Sequence, residues 1–219
     1  MINTYFIKLN NAITYQKIHH LLHLVTPERQ YKINRLYFEN DKKLSLYSEL
    51  LIRQIVCHNY NLKNDKVNFE YNKFGKPHLL NIPNFHFNIS HTQCALIVAT
   101  HSSSIGIDIE ELSSIDSNIE ADLVKRFFCI DERNYIFKSS ASMDKRFWEV
   151  WTKKEAYLKF LGTGLNIPLN SFSIFSTNIS SKMHTVQKDN FVISLCTCKS
   201  VPNITINTIT EDNLIKSLW

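Results

Sequence analysis

Only four glycines punctuate this chain of 219 residues: Gly75, Gly106, Gly162 and Gly164. A chain so poor in glycine keeps it where the backbone takes a positive φ or passes close to a neighbour. The four positions therefore mark where the fold is most constrained. Gly75 lies in the turn signal Gly75-Lys76-Pro77. Gly106 opens Gly106-Ile107-Asp108-Ile109-Glu110, and the last pair flanks Thr163 just past a long helical pattern. Singly, each reads as an ordinary turn or helix C-cap.

The pattern between them alternates between two periods. Strands are expected at Ile2–Leu9, Val67–Tyr71, Phe85–Ile89, Cys94–Thr100 and Ile105–Glu110, then at Phe172–Phe175, Phe191–Thr197 and Ile204–Ile209. Helical spacing covers Tyr15–Val25, Asp41–Tyr60, Ile119–Phe128, Glu132–Lys138 and Met143–Leu161. A further helix opens at Thr26-Pro27-Glu28, with a capping hydroxyl, proline at the first position and an acid in the first turn. This is a mixed α+β chain. The polar stretch His101–Ser104 is the expected joint between two halves, residues 1–103 and 104–219.

Composition narrows the class. Hydrophobic residues make up 44%, which supports a core and excludes general disorder. The longest apolar run, Cys94–Ala99, is too short to span a bilayer, and no signal peptide is visible at the N-terminus. Five cysteines without zinc spacing read as reduced thiols of a cytoplasmic protein. The +5 charge suits an anionic ligand or an acidic partner. No nucleic-acid-binding motif accompanies it, and a monomer without membrane attachment is expected.

Three segments carry chemistry. In the strand Ile105–Glu110, the three isoleucines share one face, and Gly106, Asp108 and Glu110 share the other. Two carboxylates beside a glycine form a candidate hard-cation site, or else an acidic edge. Trp148, Trp151, Glu155 and Lys159 share one helix face. As a surface pair, Glu155 and Lys159 would be worth only about 0.3–0.5 kcal/mol. Beside tryptophans they read better as ligand groups. Ser90-His91 is too close in sequence for a nucleophile–base pair, and reads as a phosphate contact or a loop histidine.

Together, Gly75-Lys76-Pro77, Phe87-Asn88-Ile89-Ser90-His91, Gly106-Ile107-Asp108-Ile109-Glu110, Trp151-Thr152-Lys153-Lys154-Glu155-Ala156-Tyr157-Leu158-Lys159 and Gly162-Thr163-Gly164-Leu165 resemble the motif series of the surfactin-synthetase-activating (Sfp-like) 4'-phosphopantetheinyl transferases, in order and spacing. The resemblance runs from about Thr26 to Phe175. It implies a pseudo-dimer of two similar α+β halves with coenzyme A in the cleft between them. It also implies transfer of phosphopantetheine to a serine of an acyl or peptidyl carrier protein. Asp108, Glu110 and Glu155 would hold magnesium, with manganese as a substitute. Arg29 and Lys32 would contact the 3'-phosphate and Ser45 the adenosine side. Lys76, Ser90, His91 and Lys159 would line the pyrophosphate. Glu132 or Glu155 would be the base.

One departure is Leu44, where many members carry arginine; Lys42 or Lys43 is expected to compensate. The acidic carrier is expected to dock on Leu112–Phe128, which offers Lys125 and Arg126 with Ile115, Ile119, Leu123 and Phe127. The competing readings are a coenzyme A-binding module without activity and a magnesium-dependent phosphodiesterase or nuclease.

Overall fold

The structure, a computed structural model, describes residues 1–80, 82–114, 117–200 and 203–218; the side chains of 117–121 and 165 fall outside that description. In chain order the elements are β1 (Asn3–Lys8), α1 (Tyr15–Ile18), α2 (Pro27–Arg35), α3 (Glu39–Tyr60), β2 (Phe69–Tyr71), β3 (Pro77–Leu79), β4 (His86–His91), β5 (Ala95–His101) and β6 (Ile105–Glu111). Then follow α4 (Ser117–Phe127), α5 (Ile130–Ile136), α6 (Met143–Leu161), α7 (Thr177–Ser180), β7 (Met183–Lys188), β8 (Phe191–Thr197), β9 (Ile206–Thr208) and α8 (Glu211–Lys216). This is a mixed α/β protein of two halves.

Each half sets a long helix on a sheet. In the first half the sheet order is β4-β5-β1-β9, and in the second it is β6-β8-β7. Period two decides which side chain goes where. On β5, Leu96 and Val98 join the core around α3, which includes Leu44, Tyr47 and Leu51. Ala95, Ile97 and Ala99 point the other way, with Phe6 of β1, and meet Ile105, Ile107 and Ile109 of β6 and Ile193 of β8. The isoleucine face of β6 thus packs against the first half. A third cluster, including Val124, Phe128, Phe147 and Val150, gathers α4 and α5 with α6.

Several expectations change. The tail does not belong wholly to residues 104–219 as a second half: β9 pairs in parallel with β1, and Leu214 of α8 enters the first-half core. Glu211 fixes it there by a buried ion pair with Lys43 at 3.1 Å. The helix expected over Tyr15–Val25 is only α1 followed by a 3₁₀ stretch, His19–Leu24. The segment must end before Thr26, whose extended backbone precedes Pro27 and caps α2. No strand forms at Phe172–Phe175. Its backbone is claimed elsewhere, the Phe172 carbonyl by Lys154 at 2.7 Å and the Ile174 amide by Glu132 at 2.9 Å. Among the described residues no helix is long and apolar enough to cross a membrane.

Candidate active site

Gly106 makes the site. A Cβ there would lie 2.0 Å from the Ala156 carbonyl oxygen and 2.3 Å from the Phe160 nitrogen. Both obstacles are backbone, so only glycine lets β6 approach α6 this closely. The strand's other face then meets the helix face that carries Glu155 and Lys159. Lys159 Nζ donates to Asp108 Oδ1 at 2.6 Å and to Ser90 Oγ at 2.7 Å; Ser90 Oγ donates to the same Asp108 oxygen at 2.8 Å. Ser90 comes from β4, so this triangle joins the two halves. Asn88, on the same strand, adds a second link by accepting the Ile107 amide at 2.8 Å.

Asp108 is 4% exposed, and its second oxygen, Oδ2, is buried without a hydrogen-bond partner among the described residues. Leaving a buried acceptor unpaired costs about 1–3 kcal/mol, more for a charged one. Glu110 is pushed up to about 7, chiefly by burial and then by the Asp108 charge, against Lys159 and a hydrogen bond with Trp151. Burial and Asp108 also raise Glu155. These three carboxylates repel one another in a partly dry site, and a hard cation would relieve them. They do not form a closed cage: among the described residues no three His, Cys, Asp or Glu side chains converge as a metal-ligand group. The donor set fits a magnesium-type ion that takes a few carboxylate oxygens and completes its shell from substrate and water.

A groove of about 490 Å³ runs beside this cluster, lined by Asp41 of α3, His91 at the end of β4, Glu110 and Trp148. His91 is exposed there. Toward α2 lies a second polar group. Arg29 Nε bonds Glu49 at 3.1 Å and its Nη1 donates to Ser45 at 3.3 Å. Glu49 is also bonded by Arg53 Nε at 2.8 Å, so one carboxylate faces two guanidinium groups and a positive charge remains. Lys32, one turn on from Arg29, is exposed.

Other expected residues fall elsewhere. Glu132 is 0% exposed. Its oxygens take Lys154 Nζ at 2.8 Å, the Ile174 amide and the Cys129 amide. Both oxygens are committed inside the second half, so Glu132 is an interior ion-pair partner and not an open base. Lys76 does not present its ammonium to the groove; the group lies on the backbone carbonyls of Ile105 and Lys159. Lys43 cannot stand in for an arginine at Leu44: it is 1% exposed and paired with Glu211, while Leu44 itself is core. Of the expected docking segment, Lys125 and Arg126 are exposed and Phe127 packs edge-on against Trp151. Ile115 and the Ile119 side chain lie outside the described residues. Residue-by-residue reading missed Asn72, whose side chain donates to the Gly162 carbonyl at 2.8 Å. Its only sequence signal was its place at the mouth of the Gly75 turn.

Comparison with known proteins shows the family to which the chain belongs. Residues 104–209 match the profile of the 4'-phosphopantetheinyl transferase superfamily. Residues 12–103 match that of "4'-phosphopantetheinyl transferase, N-terminal". The chain is 32% identical over 171 residues to the 4'-phosphopantetheinyl transferase Sfp of Bacillus subtilis (strain 168), covering 78% of this chain and 75% of that one. It is also 32% identical over 230 aligned positions to the 4'-phosphopantetheinyl transferase gsp of Aneurinibacillus migulanus, covering 98% and 94%. The L-aminoadipate-semialdehyde dehydrogenase-phosphopantetheinyl transferase of Rattus norvegicus is 30% identical over 182 residues, 77% of this chain and 58% of its own. This chain belongs to the 4'-phosphopantetheinyl transferase family and is an enzyme of that kind.

Proposed function

We propose that the protein transfers the 4'-phosphopantetheine arm of coenzyme A to a serine of an apo acyl or peptidyl carrier protein, with release of adenosine 3',5'-bisphosphate. The observation that carries this reading is Asp108: buried, shared by Ser90 and Lys159, and left with one oxygen unpartnered among the described residues, beside two further carboxylates. Asp108, Glu110 and Glu155 would hold magnesium, or manganese in its place. When bound, the ion supplies neutralisation of pyrophosphate charge.

The chain's own groups do the rest. Arg29 and Lys32 receive the 3'-phosphate, with Ser45 beside them; a planar guanidinium suits phosphate oxygens. Ser90, His91 and Lys159 orient the pyrophosphate. The carrier serine oxygen attacks the β-phosphorus in line and the bond to the leaving bisphosphate breaks. Glu155 takes the serine proton. No protein nucleophile is required, because positioning and charge neutralisation dominate this class of transfer. The exposed Lys125 and Arg126 offer the positive face that an acidic carrier helix needs for steering.

The test is to incubate the protein with magnesium, coenzyme A and an apo-carrier, and to weigh the carrier. A mass gain of one phosphopantetheine group is expected, lost on chelation and lost in a folded Asp108→Ala variant. Coenzyme A binding without carrier modification would leave an inactive binding module. Coenzyme A hydrolysis without transfer would leave a phosphodiesterase.

A further inference from the structure

The C-terminal turn of α6 carries Lys159, and residues of the other half complete it. A helix leaves its last four carbonyls without intrahelical partners. Gly162, at φ +70, begins the closure by donating its amide to the Leu158 carbonyl at 2.9 Å. Ser104 Oγ donates to the Phe160 carbonyl at 2.9 Å, and the turn between β2 and β3 takes up the Lys159 carbonyl and that of the capping Gly162. Lys76 Nζ donates to the Lys159 carbonyl at 2.5 Å and reaches that of Phe160 at 3.5 Å, while Asn72 Nδ2 donates to the Gly162 carbonyl at 2.8 Å. The same ammonium also donates to the Ile105 carbonyl at 3.0 Å, three residues before Asp108. One cation therefore ties the start of β6 to the backbone of the residue whose side chain meets Asp108.

The turn is built to hold this position. Asn72 Oδ1 accepts the amides of Phe74 and Lys76, each at 2.9 Å, and the Asn72 amide donates to the Lys76 carbonyl at 3.0 Å. The fit is close: a Cβ on Gly162 would lie 3.0 Å from Lys76 Cδ and 3.2 Å from Asn72 Nδ2. A cation and an amide donor are also the groups that a helix C-terminus favours electrostatically.

We propose that the Asn72–Lys76 turn is an inter-half clasp that sets the spacing between β6 and the last turn of α6, and so holds Lys159 against Ser90 and Asp108. Asn72 and Lys76 are positioning residues in this account; they act through α6 and touch no substrate. Its catalytic meaning rests on the transfer reading above, but the clasp itself concerns only groups of this chain.

Three variants separate the outcomes. Asn72→Asp keeps an acceptor for the two turn amides and removes the donor to Gly162. Lys76→Met removes the ammonium, and Lys76→Arg restores a cation with several donors. The readouts are amide hydrogen exchange in the ligand-free protein, kcat, and calorimetric coenzyme A affinity. Asn72→Asp and Lys76→Met are expected to speed exchange at residues 158–162 and to lower kcat together, by about ten- to a hundredfold, the scale of a displacement of roughly 1 Å in a reacting group. Lys76→Arg should recover most of both. The clasp is overturned if only Lys76→Met weakens coenzyme A binding while exchange stays unchanged, since Lys76 would then contact the substrate directly. It is equally overturned if both variants lower stability alone, with exchange in that turn and kcat per folded molecule intact. Should the wild type transfer nothing, the function falls, and the exchange measurement still decides the clasp.

Discussion

Glu110 shows how much a single carboxylate is changed by its place. Its proton affinity is raised to about 7 from the ordinary 4.5 by burial and by Asp108. Between those two values the folded state binds more protons than the unfolded state, so stability falls as pH rises. The metal-free protein should therefore lose stability from about pH 4.5 through 7, and Glu110→Gln should flatten that slope. Magnesium should oppose the loss, because a cation favours the ionised form. Its affinity should climb with pH and level off above about 7, with proton release on binding below that. Calorimetry in two buffers of different ionisation enthalpy measures that release directly. At this scale the sequence was informative: alternation alone placed Asp108 and Glu110 together, and helical spacing placed Glu155 and Lys159. It was silent on Asp108 Oδ2, because an unpartnered atom is a property of packing.

Between elements, the reading of Glu132 changes most. Family resemblance offered it as a base, because a motif match does not report depth. In the fold it holds α5 to α6 through Lys154, and Lys154 Nζ also binds the carbonyls of Leu169 and Phe172. Burial lowers the Lys154 proton affinity while Glu132 opposes that shift. Both side chains are 0% exposed. Removing one partner strands the other charge, so Glu132→Ala should cost about 3–5 kcal/mol. A fall in the denaturant midpoint equivalent to that loss is expected, and a folded, stable variant with abolished turnover would return Glu132 to the catalytic role. The same pair explains the missing strand at Phe172–Phe175. Its apolar residues looked strand-like, yet its backbone groups were already spent on an ion pair formed from residues far away in sequence. β7, half-buried and mostly polar, escaped notice for the opposite reason: its sequence barely alternates.

For the whole molecule, the tail closes the first half. β9 lies beside β1, and Glu211 reaches Lys43 across 168 positions of chain. The strand itself could be read locally, but its parallel, long-range partner could not, which is why the expected second half ran to residue 219. Glu211→Ala should weaken the first half although it is encoded far from it in sequence. The loss should again be about 3–5 kcal/mol, since it leaves Lys43 buried and uncompensated. Hydrogen exchange in α3, far from the substitution in sequence, is the measurement that reports it. Exchange rising only in α8 would mean that the tail is a passenger on the first sheet.

That closure also has a consequence for how the protein is made. Translation delivers β1 long before β9, so until β9 emerges the first sheet has its β1 edge uncovered. An open strand edge is the surface on which chains pair wrongly. Domains ordinarily fold as they leave the ribosome, N-terminal part first. Here the nascent first half must wait for β9 and Glu211 before its sheet and its Lys43 charge are both satisfied. A ribosome stalled short of β9 should therefore hold a chain that a chaperone still recognises, and one released past α8 should not.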